Sequence, residues 1–302
     1  MMRSARILLV TTTGVLLSAL PLLADEAVPR ITIAPGQGQF VFRDPAGNPQ
    51  RPIPVHTYRP RSFGQASPIL FAMHGMSRKA VGALQCWTEY ADRHGVLVLA
   101  PEFSNAHYPG GAMYNRGNLT GLWGAVPPAK WTYTAIERLF DAVRLATGSQ
   151  RSRYLIFGHS AGGQFVHRLV LFVPNARIET AFAANAGWYA MPTFAVEYPY
   201  GLKDSVATKE SLARAFSQPL VLLLGDQDVK PNALDLNTSS GANAQGPHRF
   251  ARGHTFFKAA TEEAGHMGVP LRWRLQTVPG VGHSSSETSH AAQKLLETHT
   301  RR

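Results

Sequence analysis

Residues 153–163, Arg153-Tyr154-Leu155-Ile156-Phe157-Gly158-His159-Ser160-Ala161-Gly162-Gly163, constrain this chain more than any other stretch. The apolar run Tyr154 to Phe157 reads as a buried strand. Beyond the glycines, Phe165, Val166, Leu169, Val170 and Phe172 recur at helical spacing. Ser160 therefore sits on a strand-to-helix turn too tight for ordinary backbone angles. The flanking glycines are required because a Cβ there would meet the neighbouring strand or the helix. The pattern G-x-S-x-G is common by chance, but a strand before it and a helix after it argue for a serine projecting into a cleft rather than a bland turn.

The rest of the chain fits such an element into a sheet. Gln39 to Phe42 and Ile53 to Tyr58 read as strands joined by the turn-rich Asp44-Pro45-Ala46-Gly47-Asn48-Pro49, which predicts an antiparallel edge hairpin. Strand and helix patterns then alternate. Strands are expected at Ile69 to Met73, Val96 to Ala100, Tyr154 to Phe157, Thr180 to Ala184, Leu220 to Leu224 and Leu271 to Val278. Helices are expected at Ala80 to His94, Thr132 to Thr147, from Ser160, at Arg249 to Ala264 and at Glu287 to His299. This alternation predicts an α/β fold with a mostly parallel central sheet and helices on both faces. Three connections, Phe103 to Trp131, Gly187 to Gln218 and Val229 to His248, are long enough to carry function. His74 and the loop aromatics Tyr114, Trp123, Trp188 and Tyr189 are the candidate substrate contacts.

The start of the chain has a different composition. Arg3 and Arg6 precede the apolar run Ile7 to Leu23, interrupted by threonines and Pro21 and closed by Ala24. This predicts a signal peptide over residues 1–24 and one catalytic domain over 25–302, hence a protein exported to the periplasm or secreted, with no integral membrane segment once the leader is removed. Cys86 is the only cysteine, so no intrachain disulfide forms. The net charge of +11 comes from lysines and arginines that are scattered rather than aligned, with no accompanying nucleic-acid motif. A basic, solvated surface is expected, and no nucleic-acid partner.

A serine hydroxyl at neutral pH needs a base to take its proton and an anion to orient that base. In an α/β sheet both belong on loops at the carboxyl ends of strands, and the strands downstream of Ser160 offer candidates for both. The run Pro219 to Gly225 is a buried strand followed by Asp226-Gln227-Asp228. Asp228 is taken as the acid, with Asp226 as a loop-shaping rival. Of twelve histidines, His283 alone follows the next strand in a small-residue loop, Pro279-Gly280-Val281-Gly282-His283-Ser284, and is taken as the general base. His159 is expected to be a packed support beside the serine. His248, His254 and His266 lack the carboxylate or cysteine company of a metal site, so no metal and no cofactor are expected. Acyl transfer also needs fixed donors for a tetrahedral oxyanion. The Ala161 amide is one candidate, and the Met76 amide, after the strand-ending His74-Gly75, is the other.

With these residues in place, the chain resembles the α/β-hydrolase superfamily over nearly all of its mature length. Ala72-Met73-His74-Gly75 and the segment from Trp87 through Ala91-Asp92-Arg93-His94-Gly95-Val96-Leu97-Val98-Leu99-Ala100-Pro101-Glu102 are similar to the secreted polyhydroxybutyrate depolymerase and feruloyl esterase-like group. Such enzymes often carry Cys where this chain has Met76. The resemblance implies a carboxylic ester hydrolase acting on a small-molecule or polymeric ester. Two other readings stand beside it: a serine peptidase or amidase on the same fold, and a non-catalytic binding protein. The second kind typically lacks a triad member, and here all three are present. The sequence leaves acyl specificity and oligomeric state open.

Overall fold

The structure is a computed structural model, and it describes residues 31–122 and 124–300, the last two of these by backbone alone. The leader assigned to residues 1–24 lies outside the described residues, as does Trp123. Eight strands among the described residues form one sheet: β1 (Gly36–Phe42), β2 (Ile53–Arg59), β3 (Ile69–Met73), β4 (Leu97–Pro101), β5 (Tyr154–His159), β6 (Ile178–Ala184), β7 (Leu220–Gly225) and β8 (Arg274–Val278). Their spatial order is β1-β2-β4-β3-β5-β6-β7-β8. The β1–β2 hairpin is antiparallel and β2 meets β4 antiparallel, while every other pairing is parallel. This is the expected α/β architecture, with the hairpin at the edge.

Alternate residues of the inner strands feed two cores, as a two-residue repeat requires. Ile69, Phe71, Ile156, Ala181, Ala183, Leu220 and Leu222 pack on one face against α3 (Thr132–Thr147), α4 (Ala161–Phe172), α5 (Lys209–Phe216) and α7 (Arg249–His266). Leu70, Ala72, Leu155, Phe157, Phe182, Val221 and Leu223 pack on the other against α1 (Ala80–Gln85), α2 (Thr88–His94) and α8 (Ser285–Thr300). Every side chain of α4 is buried, because this helix is roofed by the long loops as well as by the sheet. Among the described residues no helix is long and apolar enough to cross a membrane.

Two expectations change. The helix expected over Ala80 to His94 is two short helices, because the chain breaks at Cys86 and Trp87 to bury the Trp87 ring completely beside Phe157. The connection from Gly187 to Gln218 is not all loop. It contains α5, started by a reciprocal capping box between Thr208 and Ser211, a signal carried by hydroxyls rather than by apolar periodicity. The third connection likewise holds the single-turn α6 (Ser240–Asn243).

Strand register decides where chemistry can occur. Met73 pairs with Gly158, His159 with Ala184, Ala184 with Leu223, and Gly225 with Val278. The carboxyl ends of β3, β5, β6, β7 and β8 thus finish at one level, and the loops that follow them share one end of the sheet.

Candidate active site

Ser160 follows β5 with φ 57° and ψ −117°, a region an L-residue adopts only when its surroundings force it. The force is visible in two glycines. A Cβ on Gly158 would lie 2.3 Å from the Gly162 carbonyl, and one on Gly162 would lie 2.3 Å from the Met73 carbonyl, so strand and helix are closer here than any larger residue allows. The turn is pinned by Ser160 N–H donating to Ala184 O (2.9 Å) and Gln164 N–H donating to Ser160 O (2.9 Å).

Asp228 lies in the turn after β7, 4% exposed, with its amide donating to Gly225 O. Its Oδ2 is 2.7 Å from His283 Nδ1. With Nδ1 as donor, the tautomer leaves Nε2 free to accept a proton. Asp226 is employed otherwise: its Oδ1 accepts from Gly280 N–H at 2.8 Å and its amide donates to Val278 O. It therefore ties the β7 turn to the loop that carries His283 and does not touch the imidazole. The His159 ring packs against His283, with centroids 4.4 Å apart. Burial, aided by His283 and Arg249, pushes the His159 imidazole down to about 3, so this ring is a neutral wall against His283.

The His74-Gly75-Met76 loop runs beside the nucleophile, and a Cβ on Gly75 would come within 4.0 Å of Ser160 Cβ. Among the described residues no backbone carbonyl accepts from the Met76 amide. The Ala161 amide, first in α4, has no intrahelical acceptor. Two N–H groups thus remain open on the two segments that flank the serine.

The residues named as substrate contacts fall in different positions. His74 is 1% exposed: Nε2 accepts from Phe103 N–H at 3.1 Å, Nδ1 meets Gly75 O at 2.9 Å, and burial lowers its imidazole to about 4. Tyr114 is fully buried, donates its hydroxyl to His74 O at 2.6 Å and stacks on the His74 ring. Tyr189 is fully buried, and the Gln245 side chain clamps both its backbone N–H and its C=O at 2.8 Å. These three stand behind the site rather than at its surface, because a long loop folded onto a sheet spends its aromatics on its own packing. Trp188 is 8% exposed, with its indole over the Arg168 guanidinium at 4.2 Å and against Tyr200.

Several supports carry no sequence signal of their own. Asn185, directly after β6 with φ 42°, donates Nδ2 to Gly282 O (2.9 Å) and accepts from Gly225 N–H (2.8 Å), so one side chain holds the two loops that present Asp228 and His283. A single Asn after a strand is a faint cue, since Asn tolerates positive φ. Arg78, nearly buried, donates to the carbonyls of Phe103, Tyr108 and Gly110 and fastens the long 103–131 loop to the Met76 segment. Arg249, at the start of α7, reaches Asp228 Oδ1 at 3.5 Å.

Strand order, a serine elbow at the end of β5, an acid after β7 and a histidine after β8 define the class: an α/β-hydrolase. No family model matches the chain, and no curated protein does. Solved structures do. Poly(aspartic acid) hydrolase-1 from Sphingomonas sp. KT-1 is 41% identical, over 88% of this chain and 100% of that one, with a TM-score of 0.85. LpqC, a poly(3-hydroxybutyrate) depolymerase from Bordetella parapertussis, is 36% identical, over 88% of this chain and 91% of that one, with a TM-score of 0.84. An S-formylglutathione hydrolase from Agrobacterium tumefaciens shares the fold at 17% identity and a TM-score of 0.58 over 88% of this chain and 95% of that one. The chain belongs to the poly(3-hydroxybutyrate) depolymerase-like group of α/β-hydrolases, and is a hydrolase.

Proposed function

We propose that the protein is an exported serine hydrolase of carboxylic esters that works through Ser160, His283 and Asp228. The observation that carries this reading is the 2.7 Å contact between Asp228 Oδ2 and His283 Nδ1 at the same end of the sheet as the strained Ser160 turn. Ser160 Oγ attacks the ester carbonyl carbon while His283 Nε2 takes its proton, and Asp228 stabilises the imidazolium that results. The amides of Met76 and Ala161 donate to the oxyanion, and being fixed by the fold they need no reorganisation as charge develops. The bond to the alkoxy oxygen then breaks as Nε2 protonates the departing alcohol. Water attacks the acyl-enzyme, passing its proton to Nε2, and the acid leaves as Ser160 Oγ recovers a proton.

A second reading, cleavage of an amide through the same acyl-enzyme, draws its support from the 41% identity to a hydrolase of poly(aspartic acid), whose backbone bonds are amides. Turnover of p-nitrophenyl esters and p-nitroanilides with matched acyl chains separates the two. The ester reading expects ester hydrolysis by the mature protein that is lost in Ser160→Ala, with anilides left intact. Anilide turnover at comparable kcat/KM transfers the assignment to amides, and failure on both series by folded protein overturns it.

A further inference from the structure

Two charged residues that this scheme leaves idle, Asp235 and Arg249, stand beside the His283–Asp228 pair. Asp235, in the loop after β7, has a side chain 65% exposed, yet it is anchored from beneath: Oδ1 pairs with Arg249 Nη2 at 2.8 Å, and the Arg249 side chain is 2% exposed. The same guanidinium approaches Asp228 Oδ1 through Nη1 at 3.5 Å. Asp235 Oδ2 then stands 3.8 Å from His283 Nε2, the nitrogen opposite the one Asp228 holds. The imidazole is thus bracketed by a carboxylate at each nitrogen, with one buried arginine bridging the two acids and the neutral His159 ring against its face.

An exposed carboxylate ordinarily wanders among rotamers and contributes little. Asp235 is tied to a guanidinium that cannot move, so its charge is fixed in space. Partial burial works against its ionised form, but the Arg249 hydrogen bond and charge outweigh this and hold Asp235 below the usual carboxylate range. The location of that charge matters, because Nε2 must meet the departing oxygen to protonate it. Whatever is attached to that oxygen therefore passes beside Asp235. The acyl portion lies on the other side of the scissile bond.

We infer that Asp235, held by Arg249, is a positioning and charge-selecting residue: it orients His283 from the Nε2 side and disfavours substrates with a negative charge on the leaving-group side. The inference rests on the Ser160–His283–Asp228 reading. It predicts substrates whose alcohol portion is neutral or cationic.

The test compares two acetyl esters of nearly equal shape, 4-acetoxybenzamide and 4-acetoxybenzoate, across pH 5 to 9 in wild type, Asp235→Asn, Asp235→Glu and Ser160→Ala. Wild type is expected to favour the neutral ester. In Asp235→Asn that preference narrows by about threefold to tenfold. Asp235→Glu, which keeps the charge, retains the preference. Far-UV circular dichroism and urea midpoints matching wild type report that the variants fold. An Asp235→Asn preference that matches wild type across this pH range overturns the inference. Persistence of turnover in Ser160→Ala instead overturns the catalytic reading beneath it.

Discussion

The strain at Ser160 and the pairing of His283 are products of single residues. Ser160 is held at φ 57° by hydrogen bonds to Ala184 O and from Gln164 N–H, and His283 is steered by a carboxylate at 2.7 Å. Two aspartates two positions apart do different work here, and this yields a sharp comparison. Asp228→Asn keeps the shape but supplies an amide where an acceptor is needed, so kcat for a p-nitrophenyl ester is expected to fall by about 10⁴. Asp226→Asn keeps an Oδ1 acceptor for Gly280 N–H and loses only the charge, so it is expected to change kcat less than about threefold, with less than about 1 kcal/mol lost in urea unfolding. Equal losses in the two variants would contradict these roles. The positions of Ser160, Asp228 and His283 at one end of the sheet were legible because each lies just past a strand, the first two apolar and fully buried and the third mixed in character. Asn185, Arg249 and Asp235 were not, because a residue that works by bridging two distant loops leaves no periodicity in its own neighbourhood.

Elements place these residues through register. The parallel strands were legible from alternation of apolar runs with helical patterns, and their carboxyl ends align because Met73, Gly158, Ala184, Leu223 and Gly225 sit at successive steps of one ladder system. The split of the predicted Ala80 to His94 helix was not legible: apolar spacing continues across Cys86 and Trp87, and only the tertiary demand to bury the indole against Phe157 and Tyr90 breaks the backbone. The aromatic loop over residues 103–131 illustrates the same limit. Its composition suggested ligand contact, but Tyr114 spends its hydroxyl on His74 O and its ring on Arg78, bracing the Met76 segment from behind.

At the scale of the whole molecule, three imidazoles among the described residues are buried and neutral. Burial lowers His74 to about 4 and His159 to about 3, and it lowers His167 well below its ordinary value. On unfolding each returns to an ordinary value near 6.5, so below that pH the unfolded chain binds more protons than the folded one. Stability is therefore complete above about pH 6.5 and declines as pH falls toward 4, by about 1–2 kcal/mol per buried histidine at pH 5. Urea midpoints measured at pH 7.5 and 5 are expected to show the drop, and equal midpoints would contradict it. The central claim concerns one oxygen atom, Ser160 Oγ, and its most direct test is stoichiometric trapping by diethyl p-nitrophenyl phosphate followed by peptide mass spectrometry. One equivalent of p-nitrophenolate released, one diethylphosphoryl group on the peptide containing Ser160, and none in Ser160→Ala is the predicted result. Label on any other residue, or unlabelled enzyme that keeps hydrolysing esters after Ser160→Ala, would contradict the account.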